Sequence, residues 1–165
     1  MEVIILTKNY YIVGTKYGGH DDKYPEMLEI GAVSTGFSRQ IDLSDWCGAS
    51  EKSIIEYLRS LGQSGTSYHN LKRFLNIRSG DLVAIKRSGS PLGDMARLVI
   101  AGYAVAQEKD GKLYHHDPNG LGHLIFVKFL ETDSDKEFNL GYGQTVHKLT
   151  IRSHIRQIFS DYSID

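Results

Sequence analysis

A chain of 165 residues with 19 basic and 20 acidic side chains, a formal charge of −1, is sized for one domain with a real core. That near-neutral balance argues against wrapping a long stretch of duplex, because neutralising many phosphates needs many Lys and Arg. No apolar run approaches the roughly 18–20 residues of a membrane span, and Cys47, standing alone, excludes an intramolecular disulfide and a cysteine-based zinc cluster.

The apolar and charged fractions, 41% and 24%, are ordinary for a soluble globular protein. The first residues, MEVIILTKNYYIVG, lack the basic segment and small-residue cleavage site of a signal peptide, so a cytoplasmic protein is expected. Val3–Leu6 and Tyr10–Val13 are short apolar runs that predict one bent strand or a small hairpin. The next stretch, Gly14-Thr-Lys-Tyr-Gly-Gly-His-Asp-Asp22, is a glycine-rich loop without the spacing of a phosphate-binding P-loop. Its adjacent glycines would let a planar ligand approach the backbone while Tyr17 offers a stacking face; a plain turn with Tyr17 packed on the core is the competing reading.

Lys23–Glu29 predicts a short helix with Asp22 as cap and Pro25 in its first turn, stopped by Gly31. Ala32–Phe37 predicts a strand closing at Gly36. Trp46 follows in a polar loop, where it is either a packing residue or a platform for stacking a base. Ser50–Leu61 is the clearest helix, with Ser50 as cap, Ile54, Ile55, Leu58 and Leu61 as its apolar stripe, and Gly62 as its stop. Gln63–Thr66 reads as a linker, and Tyr68–Leu75 as a second helix burying Leu71, Phe74 and Leu75.

Leu82–Lys86 and Ala96–Ala106 predict two strands joined by a polar loop, Arg87–Asp94, that carries Pro91. Gly102, inside the second strand, marks a bulge or a close backbone approach. The span from Tyr68 to Ala106 carries a net +4, against −3 before it and −2 after it, so positive charge is concentrated here. It is either a solvated face or a compact nucleic-acid footprint. Beyond it, Glu108–Gly111 is a turn, Lys112–Gly122 a loop, His123–Glu131 a strong strand, and Thr132–Asn139 an exposed loop. Thr150–Phe159 predicts a final helix capped by Thr150 and burying Ile151, Ile155, Ile158 and Phe159, with Arg152 and Arg156 off that stripe.

Strands with non-alternating helices predict an α+β fold, a small partly open β-barrel with packed helices, spanning residues 1–165 as one domain. No nucleophile elbow, zincin helix or dinucleotide fingerprint is present. His115, His116 and Asp117 invite a metal or hydrolase reading, but adjacent histidines on an extended chain point to opposite sides. No metal and no cofactor is expected.

Six stretches carry a resemblance: Gly14–Asp22, Ile30–Phe37, Ile41–Ser44, Ile77–Lys86 (IRSGDLVAIK), Ile100–Val105 and Phe126–Phe129. In this order the chain resembles the PUA-like/EVE superfamily, and within it the N-terminal modified-base-reading domains of McrB-type, modification-dependent restriction proteins. The resemblance spans roughly residues 10–155. It implies a non-catalytic module that takes a flipped, modified base, typically a methylated one, into an aromatic-walled pocket on double-stranded DNA. It also implies an associated NTPase or nuclease effector.

Carried across by position, Tyr17, Gly18 and Gly19 would form a pocket wall. Phe37 and Trp46 would be stacking partners, Asp22 would accept from a base amino group, and Lys86 would meet the base or its phosphate. The physics asks for such a set, since a flipped base loses stacking that aromatic faces must restore. Lys72, Arg73, Arg87 and Arg97 would contact phosphates and position the strand without reading sequence. The position where the family pattern leads one to expect a tryptophan beside the paired glycines holds Tyr17. An RNA-binding PUA- or YTH-like module, and a small hydrolase using the His115/His116/Asp117 loop, are the alternatives.

Overall fold

The computed structural model describes residues 8–89, 96–132 and 134–162. From its N-terminal side the chain forms β1 (Tyr10–Gly14), a minimal hairpin of β2 (Lys16–Tyr17) and β3 (Asp21–Asp22), α1 (Tyr24–Ile30), β4 (Ala32–Thr35), α2 (Glu51–Ser60) and α3 (Gly65–Phe74). It continues through β5 (Leu82–Gly89), β6 (Leu98–Ala106), β7 (Tyr114–Asp117), β8 (Gly122–Leu130), β9 (Lys136–Phe138) and β10 (Val146–Lys148), and closes on α4 (Arg152–Ile158). The expected Val3–Leu6 run lies outside the described residues, as do Ser90–Asp94 of the central loop.

The fold is α+β, built on a curled, half-barrel sheet in the order β10-β1-β5-β6-β8-β4, with β7 added to β8 and β9 added to β6. Two long strands make it curl by changing partners along their length. The first half of β8 sits between β4 and β7, and its second half pairs with β6. Likewise β6 pairs β9 through Leu98–Ile100 and β8 through Tyr103–Ala106. The register of β5 against β6 also slips between Ile85 and Ser88, a bulge that bends the sheet beside Gly102. A side chain at Gly102 would run into the Tyr24 hydroxyl, so the glycine serves as both bulge and close approach.

Both faces of the central strands are covered. Tyr11, Val13, Val83 and Ile85 pack with Ile54, Leu58, Leu71 and Phe74 of α2 and α3. The alternate residues Tyr10, Ile12, Leu82 and Ala84 pack with Leu149, Ile158 and Phe159 around α4. Such strands read as unbroken apolar runs rather than as an alternation. The pair β1–β5 is parallel and needs a long crossover, supplied here by everything between Thr15 and Asp81. Asp81 fastens the entry to β5, accepting from the Asn9 and Arg78 backbone N–H groups at 3.0 and 2.8 Å.

The helix expectations hold with shifted ends. Ser50 and Ser64 both cap, each hydroxyl accepting a backbone N–H three residues on. The second cap lets α3 begin at Gly65, so Gln63–Thr66 is not a linker. Asp22 takes the Tyr24 N–H at 3.0 Å while Lys23 occupies the capping position of α1. α4 has Ile151 at its N-cap and no side-chain cap, so Thr150 does not serve as one, and Ile151 is 50% exposed rather than buried. Two expected loops are strands instead: part of Lys112–Gly122 is β7 and part of Thr132–Asn139 is β9. Arg87–Gly89, read as the start of a loop, extend β5. β7 and β9 each pair with a long strand already anchored in the sheet, and that pairing overrides their polar composition. No helix among the described residues is long and apolar enough to cross a membrane.

Candidate functional site

At the carboxyl ends of the parallel pair, where β1 runs into Thr15 and β5 into Lys86–Gly89, the sheet opens into a cavity of about 560 Å³. Small-molecule sites typically enclose roughly 300–1,000 Å³. The β2–β3 hairpin and the residues after β4 form two walls, and the segment around Gly143–Thr145 forms a third. Gly18 and Gly19 turn the hairpin with φ of 64° and 81°, a conformation that glycine adopts without strain.

Five of the expected base-contacting residues meet here: Tyr17, Gly18, Gly19, Phe37 and Lys86, joined by Arg87. The Tyr17 ring lies against Gly36, where any Cβ would sit 2.9 Å from the ring edge, and Arg39 rides over its face at 5.9 Å. Its hydroxyl donates to the Leu121 carbonyl at 2.6 Å and lies 2.7 Å from Ser34 Oγ, which fixes the ring as a wall. Burial pushes its pKa up to about 12, so the phenol stays protonated.

Lys86 is 7% exposed, and its Nζ donates to the Tyr142 carbonyl at 3.0 Å and to the Gln144 carbonyl. Burial pulls its pKa down to about 8. Arg87 is held by Asp135 at 2.8 Å and by Asp22 at 3.4 Å, with Tyr24 beneath it. Lys16 and Arg39 join Lys86 and Arg87 in the lining, which contains no Asp or Glu. Among the described residues, Arg87 has carboxylate partners while Lys16, Arg39 and Lys86 have none. Two further lining residues, Thr15 and Thr35, bury hydroxyl oxygens that have no hydrogen-bond partner. Each such orphan costs about 1–3 kcal/mol.

The wall at Phe37 is itself held from behind. His123 is fully buried, with Nε2 2.8 Å from the Phe37 carbonyl and Nδ1 2.6 Å from the Tyr114 hydroxyl. A carbonyl only accepts, so Nε2 carries the proton and Nδ1 accepts from Tyr114, whose oxygen in turn takes the Leu43 N–H. Burial holds the imidazole neutral, with a pKa lowered to about 4.

Other expected site residues lie apart from the cavity. Asp22 is beside it, but its oxygens are taken by the Tyr24 N–H and Arg87. Trp46 sits in a 3-10 turn over Ser44–Trp46 and stacks on Tyr57 of α2, centroids 4.3 Å apart and planes within 12°. Trp46→Ala is therefore expected to lower stability by about 2 kcal/mol in chemical denaturation. It should leave ligand binding in the cavity unchanged. Lys72 pairs with Glu51 at 3.7 Å, Arg73 holds Gln144 and the Val146 carbonyl, and Arg97 pairs with Glu137. These three are engaged within the fold, away from the cavity lining.

The histidine-rich loop is not gathered into one site. His116 donates to the Arg39 carbonyl at 2.7 Å, His115 lies against Phe126, and Asp117 accepts from the Leu121 N–H at 3.3 Å within the β7–β8 turn. No group of three His, Cys, Asp or Glu side chains fit to hold a metal occurs among the described residues. Thr15, Lys16, Thr35, Arg39 and the Gly143–Thr145 segment were missed by sequence reasoning. Thr15 and Thr35 each flank a glycine at a strand end, a pattern too common to single them out, and Lys16 and Arg39 carry no local signal. Compared with family models, with curated proteins and with solved structures, the chain matches none.

Proposed function

We propose that the chain is a non-catalytic nucleic-acid-binding module, PUA-like/EVE-like in kind, that receives one extruded, modified base in the cavity between Tyr17 and Phe37. Lys16, Arg39 and Arg87 then contact the flanking phosphates, and an associated restriction or defence effector acts on the marked DNA. The observation that carries this reading is the convergence of Tyr17, the Gly18-Gly19 turn, Phe37 and Lys86 on one cavity with a wholly cationic set of charged side chains. A base entering it regains stacking on aromatic faces, and its backbone meets Lys16 and Arg39, which no carboxylate among the described residues neutralises, beside the acid-held Arg87. The separation of His115, His116 and Asp117 gives the hydrolase alternative no shared site to act from.

The test is a binding panel at fixed salt. One duplex carries N6-methyladenine, 5-methylcytosine, 5-hydroxymethylcytosine or no modification, and a single-stranded RNA of the same sequence is the competitor. One modified duplex should bind at least tenfold tighter than the unmodified one. Phe37→Leu, which keeps apolar volume but removes the ring, should cut that preference roughly tenfold, because stacking is worth about 1–3 kcal/mol per base. Equal affinity across the panel, collapsing as salt rises, would leave only nonspecific phosphate attraction. Preferential capture of the RNA would move the module to the RNA-binding class.

A further inference from the structure

We propose that the ridge Gly143-Gln144-Thr145 is a phosphate saddle. It seats the phosphodiester next to the extruded nucleotide and leads the sugar–phosphate backbone from the first cavity into a second one beside α3. The inference rests on reading the first cavity as a base pocket, and it names the path by which the target strand leaves that pocket.

Two independent observations converge on it. The first is a shared wall. A second cavity, of about 520 Å³, is bounded by Gly65, Thr66, His69 and Asn70, and it adjoins the first because Gly143 and Thr145 line both. Gly143 and Gln144 are exposed, so a strand can lie across them. The ridge belongs to no helix or strand. It rests instead on the carboxyl ends of β1 and β5: the Gly14 N–H donates to the Thr145 carbonyl at 2.7 Å, and a Cβ at Gly89 would lie 2.6 Å from the Tyr142 carbonyl oxygen.

The second observation is charge that reaches one residue from two elements. Lys86 Nζ, from β5, donates to the Gln144 carbonyl, and Arg73 Nη1, from α3, donates to the Gln144 side-chain oxygen at 2.6 Å. Each cation's other acceptor is also a neutral carbonyl, that of Tyr142 for Lys86 and that of Val146 for Arg73. Neither has a carboxylate partner among the described residues. Two positive charges therefore meet at Gln144 with no anion to cancel them. His147, whose Nε2 accepts the Gln144 N–H at 2.9 Å, registers their sum: burial, then the charges of Lys86 and Arg73, lower its pKa to about 4. His69, in the second cavity, is likewise lowered by burial and then by Lys72, Arg73 and Arg59, with Glu51 opposing. Neither lining contains a carboxylate. An anion on the ridge meets an uncancelled positive field, from which an apolar group would gain nothing. Phosphate oxygens also accept from backbone N–H groups, and those of Gly143 and Thr145 have no acceptor among the described residues.

Methylphosphonate substitution tests this on the DNA, since it neutralises one linkage at a time and leaves the protein untouched. The full chain is titrated with duplexes carrying one central N6-methyladenine or one central 5-methylcytosine and with the unmodified duplex, the neutral linkage being stepped along the modified strand. In the tighter of the two modified duplexes, neutralising a linkage that adjoins the modified nucleotide should cost wild type roughly tenfold. Gln144→Glu sets a carboxylate between the two cations, where Arg73 can still hold it. It should bind the all-phosphate duplex roughly tenfold more weakly, lower the salt slope by about one, and lose nothing further from that neutral linkage. Gln144→Ala, which drops the Arg73 contact without adding charge, should stay within about threefold of wild type. Because Gln144 is exposed, both variants should melt with wild type. A neutral linkage that costs Gln144→Glu as much as wild type, or equal losses in the Ala and Glu variants, would overturn the saddle, while an intact preference for the modified duplex would leave the base pocket standing. Equal binding of modified and unmodified duplexes, with the salt slope still lowered by Gln144→Glu, would overturn the base pocket and keep the ridge as a phosphate site. Binding to none of the duplexes would overturn both.

Discussion

Acidification from pH 7.5 to pH 4 is expected to cost the fold about 3 kcal/mol through His123 alone, beginning near pH 6.5. In the unfolded chain this imidazole takes its proton near 6.5, whereas burial lowers the folded value to about 4. Between those values the unfolded state binds the extra proton. The contribution of neutral His123 is therefore complete above pH 6.5 and is lost as the pH falls through the folded value. His116, stacked at 5.6 Å, opposes the charged form, and Asp42 favours it weakly. His147, lowered to about 4 by burial and by the charges of Lys86 and Arg73, falls away in the same window.

Urea denaturation at fixed ionic strength every half unit from pH 7.5 to 4 checks this. The loss should start well above the range where ordinary carboxylates titrate. His123→Gln, whose amide can still donate to the Phe37 carbonyl, should show a clearly shallower slope. Parallel curves for wild type and variant would mean that His123 is not the group responsible. The consequence reaches the cavity, because a proton on Nδ1 ends its bond from Tyr114 and loosens the imidazole that holds the Phe37 wall.

Gly122→Ala is expected to destabilise the fold by about 3 kcal/mol, two effects acting together. Gly122 has φ of 96°, outside the region open to alanine, and its missing Cβ would sit 2.9 Å from the Thr35 carbonyl oxygen and 3.2 Å from Gly36 Cα. Those neighbours are backbone and cannot rotate away. The β4–β8 pairing that closes the sheet beside the cavity would have to open. For a chain of this size the melting temperature should fall by roughly 6–12 °C. Gly111→Ala is the control: its φ is 79° but nothing lies within 4 Å of the added methyl, so only the conformational cost of about 1–2 kcal/mol applies. Equal losses at the two sites would remove the steric part of the argument.

The strands that carry most of the sheet were legible because their apolar runs are long and bounded by turn residues. α2 was legible because Ser50, the Ile54–Leu58 spacing and Gly62 all point the same way. β7, β9 and β10 were not, since His-His-Asp, Lys-Glu-Phe and Val-His-Lys become strands only through neighbours far away in the chain. The aromatic wall was half legible. Tyr17 and Phe37 stood out as rings next to glycines, and both line the cavity. Trp46 looked the better platform by residue type, yet Tyr57, eleven positions later on α2, takes its face. A preference for stacking does not specify the partner. The same holds for the cations: Lys72, Arg73, Arg87 and Arg97 share a basic stretch and each finds an acceptor or acid distant in the chain, yet only Arg87 of the four lines the cavity.

By itself the sequence determined the α+β class, the Ser50 cap of α2, the turn glycines and the apolar strands, all consequences of interactions within a few residues. Which polar groups face one another was decided only by the tertiary structure. Thr15, Thr35, Arg39 and Lys86 come from separate segments, and their meeting depends on the parallel β1–β5 pair and the β4–β8 ladder bringing those ends together. A hydroxyl left without a partner is a property of that meeting, and no local pattern encodes it.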